Sequence, residues 1–112
     1  MTLPSKELVE AVLGRKIKRV VKIEQKNFIG ILTFNVIRFE TDYGDMRSIN
    51  IYEFAHLVKE YMSDNKIAII KSSKSANYGW FAESLLTGVV SADTEPEAII
   101  KIAEKILNET KD

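Results

Sequence analysis

An α+β fold is what this 112-residue sequence predicts: three helices with a mainly antiparallel sheet of five to six strands. Three observations lead there. Segments with apolar residues at helical spacing open the chain, interrupt it near residue 50 and close it. The stretches between them alternate with the two-residue period of strands. The connections between strands are short and carry turn residues, which antiparallel neighbours need. Helices on both faces of one sheet would bury all three apolar stripes, so the expected architecture is an α-β-α sandwich, with a sheet covered on one face as the alternative. A chain of this length makes one domain of ordinary size, over residues 1–112.

The first helix is expected from Ser5 to Leu13. Pro4 suits a helix start, Gly14 suits the left-handed residue after the end, and Leu8, Val9, Val12 and Leu13 share a face. From Arg15 to Gln25 the period changes. Ile17, Val21 and Ile23 alternate with Lys18, Lys22 and Glu24, as in a strand with one wet face. Lys26-Asn27 reads as a turn, and Phe28 to Thr41 as strand with a bend at Gly30 or Asn35. Asp42-Tyr43-Gly44-Asp45 is turn chemistry, so Val36–Thr41 and Met46–Ile49 form a hairpin.

Asn50 followed by Glu53 resembles a capping box, and Phe54, Leu57, Val58 and Tyr61 form the stripe of a second helix that ends at Asp64-Asn65. Lys66 to Lys71, with Ile67, Ala68, Ile69 and Ile70, reads as a short apolar strand, Ser72 to Gly79 as a polar loop, and Trp80 to Val90 as a strand with Gly88 as a break. Thr94 and Glu97 make a second capping box. Ala98, Ile99, Ile102, Ala103 and Ile106 share the buried face of the third helix, while Lys101, Glu104, Lys105 and Asn108 cover the other. Thr110 to Asp112 is expected to fray.

Composition narrows the function classes. Apolar residues are 46% and charged residues 29%, the balance of a folded protein. Sixteen acids match sixteen bases, so global charge predicts no polyanionic partner. The absence of cysteine removes disulfides and thiolate metal sites and fits a reducing cytoplasm. The opening residues show no signal peptide, and no window nears the roughly 18 apolar residues of a spanning helix, so no membrane role is expected. His56 is the single histidine and falls opposite the stripe of its helix. Ser72 or Ser84 would serve a Ser-His-Asp set only if the fold gathered them, and no nucleophile-elbow signature is present. Asp42 and Asp45 offer too few oxygens for a metal site. The reading is therefore non-catalytic, with no cofactor and no metal.

Two segments stand out as binding candidates. Arg15 to Lys26 holds six basic residues and one acid, with Lys16, Lys18, Lys22 and Lys26 on one face. Such a strand can contact phosphates or an acidic protein, but lysine is also how an exposed edge resists unwanted pairing, and edge protection is the commoner reason. The segment Lys71–Trp80 combines Lys71, Lys74, Asn77, Tyr78 and Trp80. Tyr and Trp make rigid interface anchors, so these five are the expected partner-binding set; the competing reading packs Tyr78 and Trp80 inward.

The stretches LPSKELVEAVLG, INIYEFAHLVKEYM and VSADTEPEAIIKIAEKIL resemble small uncharacterised proteins of bacteriophages and prophages, of the phage α-β-α sandwich type. Asp93, Thr94, Glu97, Ala98 and Ile99 match the helix start of that group. The resemblance covers about a third of the chain and rests on caps and core positions. It implies a phage or mobile-element origin and a sandwich fold, and it transfers no catalytic residue. The expected role is a binding protein acting on a host or phage macromolecule, such as an inhibitor of a host system. The expected partner is a protein, with self-association open; the alternative is a nucleic-acid-binding accessory protein using Lys16, Lys18 and Lys22.

Overall fold

The computed structural model describes residues 2–28, 30, 32–77 and 79–109. Local chemistry sets the three helices. Helix α1 (Lys6–Leu13) begins where the Ser5 hydroxyl accepts a hydrogen bond from the Leu8 amide, and ends at Gly14 in the left-handed region. Helix α2 (Ile51–Asp64) is capped by Asn50, whose side-chain oxygen accepts from the amides of Tyr52 and Glu53. Helix α3 (Glu95–Glu109) is capped by Thr94, whose hydroxyl accepts from the Glu97 amide. Each cap satisfies amides that the first helical turn leaves without partners. The fraying expected at Thr110–Asp112 lies outside the described residues.

The strand content is divided, which corrects the single-sheet expectation. Strands β1 (Ile17–Phe28), β2 (Leu32–Thr41) and β3 (Met46–Asn50) form an N-terminal antiparallel sheet in that order. Strands β4 (Lys71–Lys74), β5 (Trp80–Ser84) and β6 (Gly88–Ala92) form a separate C-terminal antiparallel sheet. No strand of one sheet touches a strand of the other among the described residues. The helices join them: α2 packs on β2, β3 and α3, while α3 packs on all three strands of the C-terminal sheet. Instead of one sheet between helices, two small sheets each use one face against a shared helical core.

Three boundaries differ from the sequence reading. Lys26 and Asn27 are not a turn; they pair with Phe34 and Thr33, and the chain reverses around Gly30, whose φ of 67° suits glycine. The apolar run Ile67–Ile70 is not a strand. It is an irregular link in which Ile70 is buried and Ile69 points to solvent, and β4 follows on Lys71–Lys74, so the first half of the segment expected as a polar loop, Ser72 to Lys74, is strand paired with β5. The Trp80–Val90 segment is two strands joined by a turn at Leu85–Thr87, not one.

The core has Phe54, Val58 and Met62 of α2, Ile102 and Ile106 of α3, Leu8 and Val9 of α1, Ile17 and Ile37 of the N-terminal sheet, and Ala82 of the C-terminal sheet, all at or near zero exposure. Burying a large aliphatic side chain contributes about 1.5–3 kcal/mol, so this shared core, with α2 and α3 at its centre, is where burial stabilises the fold.

Candidate functional site

The two sheets expose very different outer faces. In the N-terminal sheet, β2 is central and β1 is an edge strand along its whole length. Two irregularities in the β1–β2 register, between Ile17 and Arg19 and between Val20 and Lys22, shift the side-chain phase. Val20, not Val21, therefore joins Ile17 and Ile23 against the core. The outward side chains form ion pairs. Glu40 accepts from Arg19 at 2.8 Å and sits 3.5 Å from Lys18. Glu24 pairs with Arg38 at 3.0 Å and Lys26 at 3.6 Å. The Arg38 hydrogen bond holds the Glu24 carboxyl below the usual carboxylate range, and the Arg19 hydrogen bond does the same for Glu40. Of the three candidate phosphate contacts, Lys18 is thus paired within the sheet, Lys22 stands beside Arg38 across the β1–β2 ladder, and Lys16 precedes the strand.

The C-terminal sheet is different. Its inward residues, Ser72, Trp80, Ala82, Val90 and Ala92, face α3 and the core. Its outward rows are Lys71, Glu83 and Val89, and then Ser73, Phe81 and Ser91. No helix or strand covers this face among the described residues. Val89 is 56% exposed and Phe81 38%, and beside them Ile69 is 69% exposed and Leu85 fully so. Ile69, Lys71, Glu83, Leu85, Gly88 and Val89 line a shallow groove of about 460 Å³. A second hollow of about 200 Å³, between Thr2, Leu3 and α3, is smaller.

The expected partner-binding residues are dispersed. Lys71 lies on the open face. Lys74 is exposed at the end of β4, and Asn77 is exposed in the hairpin loop, its amide bonded to the Ser75 hydroxyl. Trp80 is half-buried against the core. Tyr78 lies outside the described residues. The residues that sequence reasoning missed are Ile69, Phe81, Leu85 and Val89. Their signal was present: β5 and β6 carry apolar residues on both faces, a pattern that ordinarily marks a sheet covered on both sides.

Ser72 is engaged structurally. Its hydroxyl donates to Glu95 at 3.1 Å and accepts from the Lys59 ammonium at 3.4 Å, tying α2, β4 and α3 together. His56 sits on the surface with its Nε2 3.0 Å from Glu60. The two are not in contact, so no Ser-His pair forms. Among the described residues no three His, Asp or Glu side chains gather as a metal site, and no helix is long and apolar enough to cross a membrane.

No protein-family model, no curated protein and no solved structure matches this chain with significant similarity.

Proposed function

We propose that this chain is a non-catalytic binding protein that docks a protein partner on the open face of its C-terminal sheet. The observation that carries this reading is the exposure of Ile69, Phe81, Leu85 and Val89 on one side of the molecule, around a groove flanked by Lys71 and Glu83. Isolated exposed apolar residues need no explanation, whereas a contiguous patch with a polar rim is the usual mark of a protein contact. The sheet is held from behind by α3, so the face is presented without a folding cost on binding. The sequence resemblance to phage proteins makes a host or phage protein the partner class, and covering a host protein's working surface the mode of inhibition.

A nucleic-acid role would draw on Lys16, Lys18 and Lys22. On that face Glu24 and Glu40 supply one negative charge each against Arg38, Lys26, Arg19 and Lys18, which lowers the net positive charge there without removing it.

The test compares capture from bacterial lysate by immobilised wild type and by the double variant Leu85→Asp/Val89→Asp. Both positions are exposed, so the variant should melt as the wild type does. A partner held by the wild type and lost by the variant supports the reading. A partner held equally by both refutes it.

A further inference from the structure

We infer that the open face of the C-terminal sheet pairs with the same face of a second copy of this chain, related by a two-fold axis parallel to the strands and midway between β4 and β5. This rests on the reading of that face as a docking surface and names its occupant.

The register of the sheet supplies the argument. Lys71 and Glu83 stand directly opposite each other on neighbouring strands. Both point outward, and neither makes an ion pair with a described residue. A two-fold axis lying along the strands between them exchanges the two positions. It sets Lys71 of each copy over Glu83 of the other, so one operation makes two salt bridges. Isologous interfaces require this self-complementarity, in which residue i meets j and j meets i. Packed sheets stand about 10 Å apart, which extended lysine and glutamate side chains together span.

The same axis orders the apolar residues. Ile69 precedes Lys71 by two residues and Leu85 follows Glu83 by two, and both line the groove beside that pair. Both lie just beyond the ends of the paired strands, so exchange across the axis brings this apolar end of one copy to the same end of the other. Ser73 likewise meets Phe81, since these two are also register partners. Val89 flanks the contact on the β6 side. A different protein would need its own matching arrangement of charges, whereas the second copy carries it already. The formal net charge of zero leaves no long-range repulsion between copies.

The patch is small. The axis lays β4 and β5 of one copy on β5 and β4 of the other and leaves β6 overhanging, so each copy contributes a face about 10 Å by about 16 Å before the flanking side chains are added, well below a standard interface. The dimer is accordingly a concentration-dependent one. It shields the apolar face while no other partner is bound, and self-association and partner binding exclude one another.

Sedimentation velocity across a concentration series tests this on the full chain. Wild type should pass from monomer to dimer. Lys71→Glu and Glu83→Lys should each weaken the dimer by at least about tenfold, because each sets like charges face to face twice. Mixing the two variants in equal amounts should restore dimer. One chain then carries an acid at both positions and the other a base at both, so each of the two contacts again joins opposite charges. Leu85→Asp, at a fully exposed turn position that disturbs the fold least, should also leave monomer. A wild type that stays monomeric at about 1 mM overturns the inference. So does a mixture no more dimeric than its separate components, or a dimer unaffected by Leu85→Asp. A monomeric wild type whose capture of another protein still depends on Leu85 and Val89 overturns the self-pairing alone and leaves the docking face standing. Capture that ignores those residues removes the docking face itself.

Discussion

Replacing Gly79 by alanine should destabilise the C-terminal sheet well beyond the cost of a strained backbone. Gly79 has a φ of 60°, in the left-handed region, and immediately precedes Trp80 at the start of β5. A Cβ at this position would lie 2.3 Å from the Ala92 carbonyl oxygen and 3.0 Å from the Asp93 Cα. Both are backbone atoms, so no side-chain rotation relieves the clash. The β6 strand must retreat, and Ala92 is the register partner of Trp80. The left-handed conformation alone costs an alanine about 1 kcal/mol. Overpacking against a fixed neighbour adds about 1–3 kcal/mol, giving a total of about 2–4 kcal/mol. Gly88 supplies the control: its φ is 81°, but nothing lies within 4 Å of an added Cβ, so Gly88→Ala should lose about 1 kcal/mol. Urea denaturation of wild type and both variants, followed by circular dichroism, separates the two terms. In thermal melts each kcal/mol corresponds to about 4 °C for a chain of this size. Equal losses in the two variants, within about 0.5 kcal/mol, would refute the steric argument. Displacement of Trp80 and Phe81 in Gly79→Ala should also weaken any binding that uses the open face.

Two further outcomes follow from the same structure. Ile102→Asp places an unpaired charge at a position with no exposure and should cost several kcal/mol, whereas Lys101→Asp, exposed and giving up one hydrogen bond to the Ser91 carbonyl, should cost about 0.5–1 kcal/mol; equal damage in thermal melts would contradict the helical phase. Acid should also weaken the fold. The carboxyls of Glu24 and Glu40 are lowered by their hydrogen bonds to Arg38 and Arg19, and that of Asp45 by the Thr41 hydroxyl and then Arg47. A carboxyl lowered on folding contributes stability that is complete above its unfolded value, near pH 4, and disappears as the pH falls through its folded value. The melting temperature should therefore decline below about pH 4, and Arg19→Gln/Arg38→Gln should flatten that decline; an unchanged acid slope in the double variant would show that these pairs do not contribute.

Local signals located the helices well. Asn50 and Thr94 cap, Gly14 terminates, and the stripe from Ala98 to Ile106 is buried as the 3.6-residue period requires, while Ser5, expected as the first residue of α1, is instead its cap, one residue before the helix begins. These features depend on residues within one turn of each other, so the chain states them directly. The strands were less legible. Two register shifts in β1 exchanged Val21 for Val20 at the core, and an irregularity of one residue leaves no mark in the alternation of a lysine-rich strand.

What the sequence determined by itself is the class α+β, the three helices, much of their buried stripes, and the turn at Asp42–Asp45; the reversal near Gly30 and the burial of Ala55 and Met62 in α2 came only with the structure. What only the tertiary structure decided is how the strands are shared between two sheets and which of their faces is covered. A hydrophobic period tells that a face can be buried; whether it is depends on which partner reaches it through space. Helix α3 packs on the C-terminal sheet from one side, taking Trp80, Ala82 and Val90 into the core. Phe81, Val89 and Leu85, as apolar as their neighbours, are left facing outward because no further helix among the described residues lies over them.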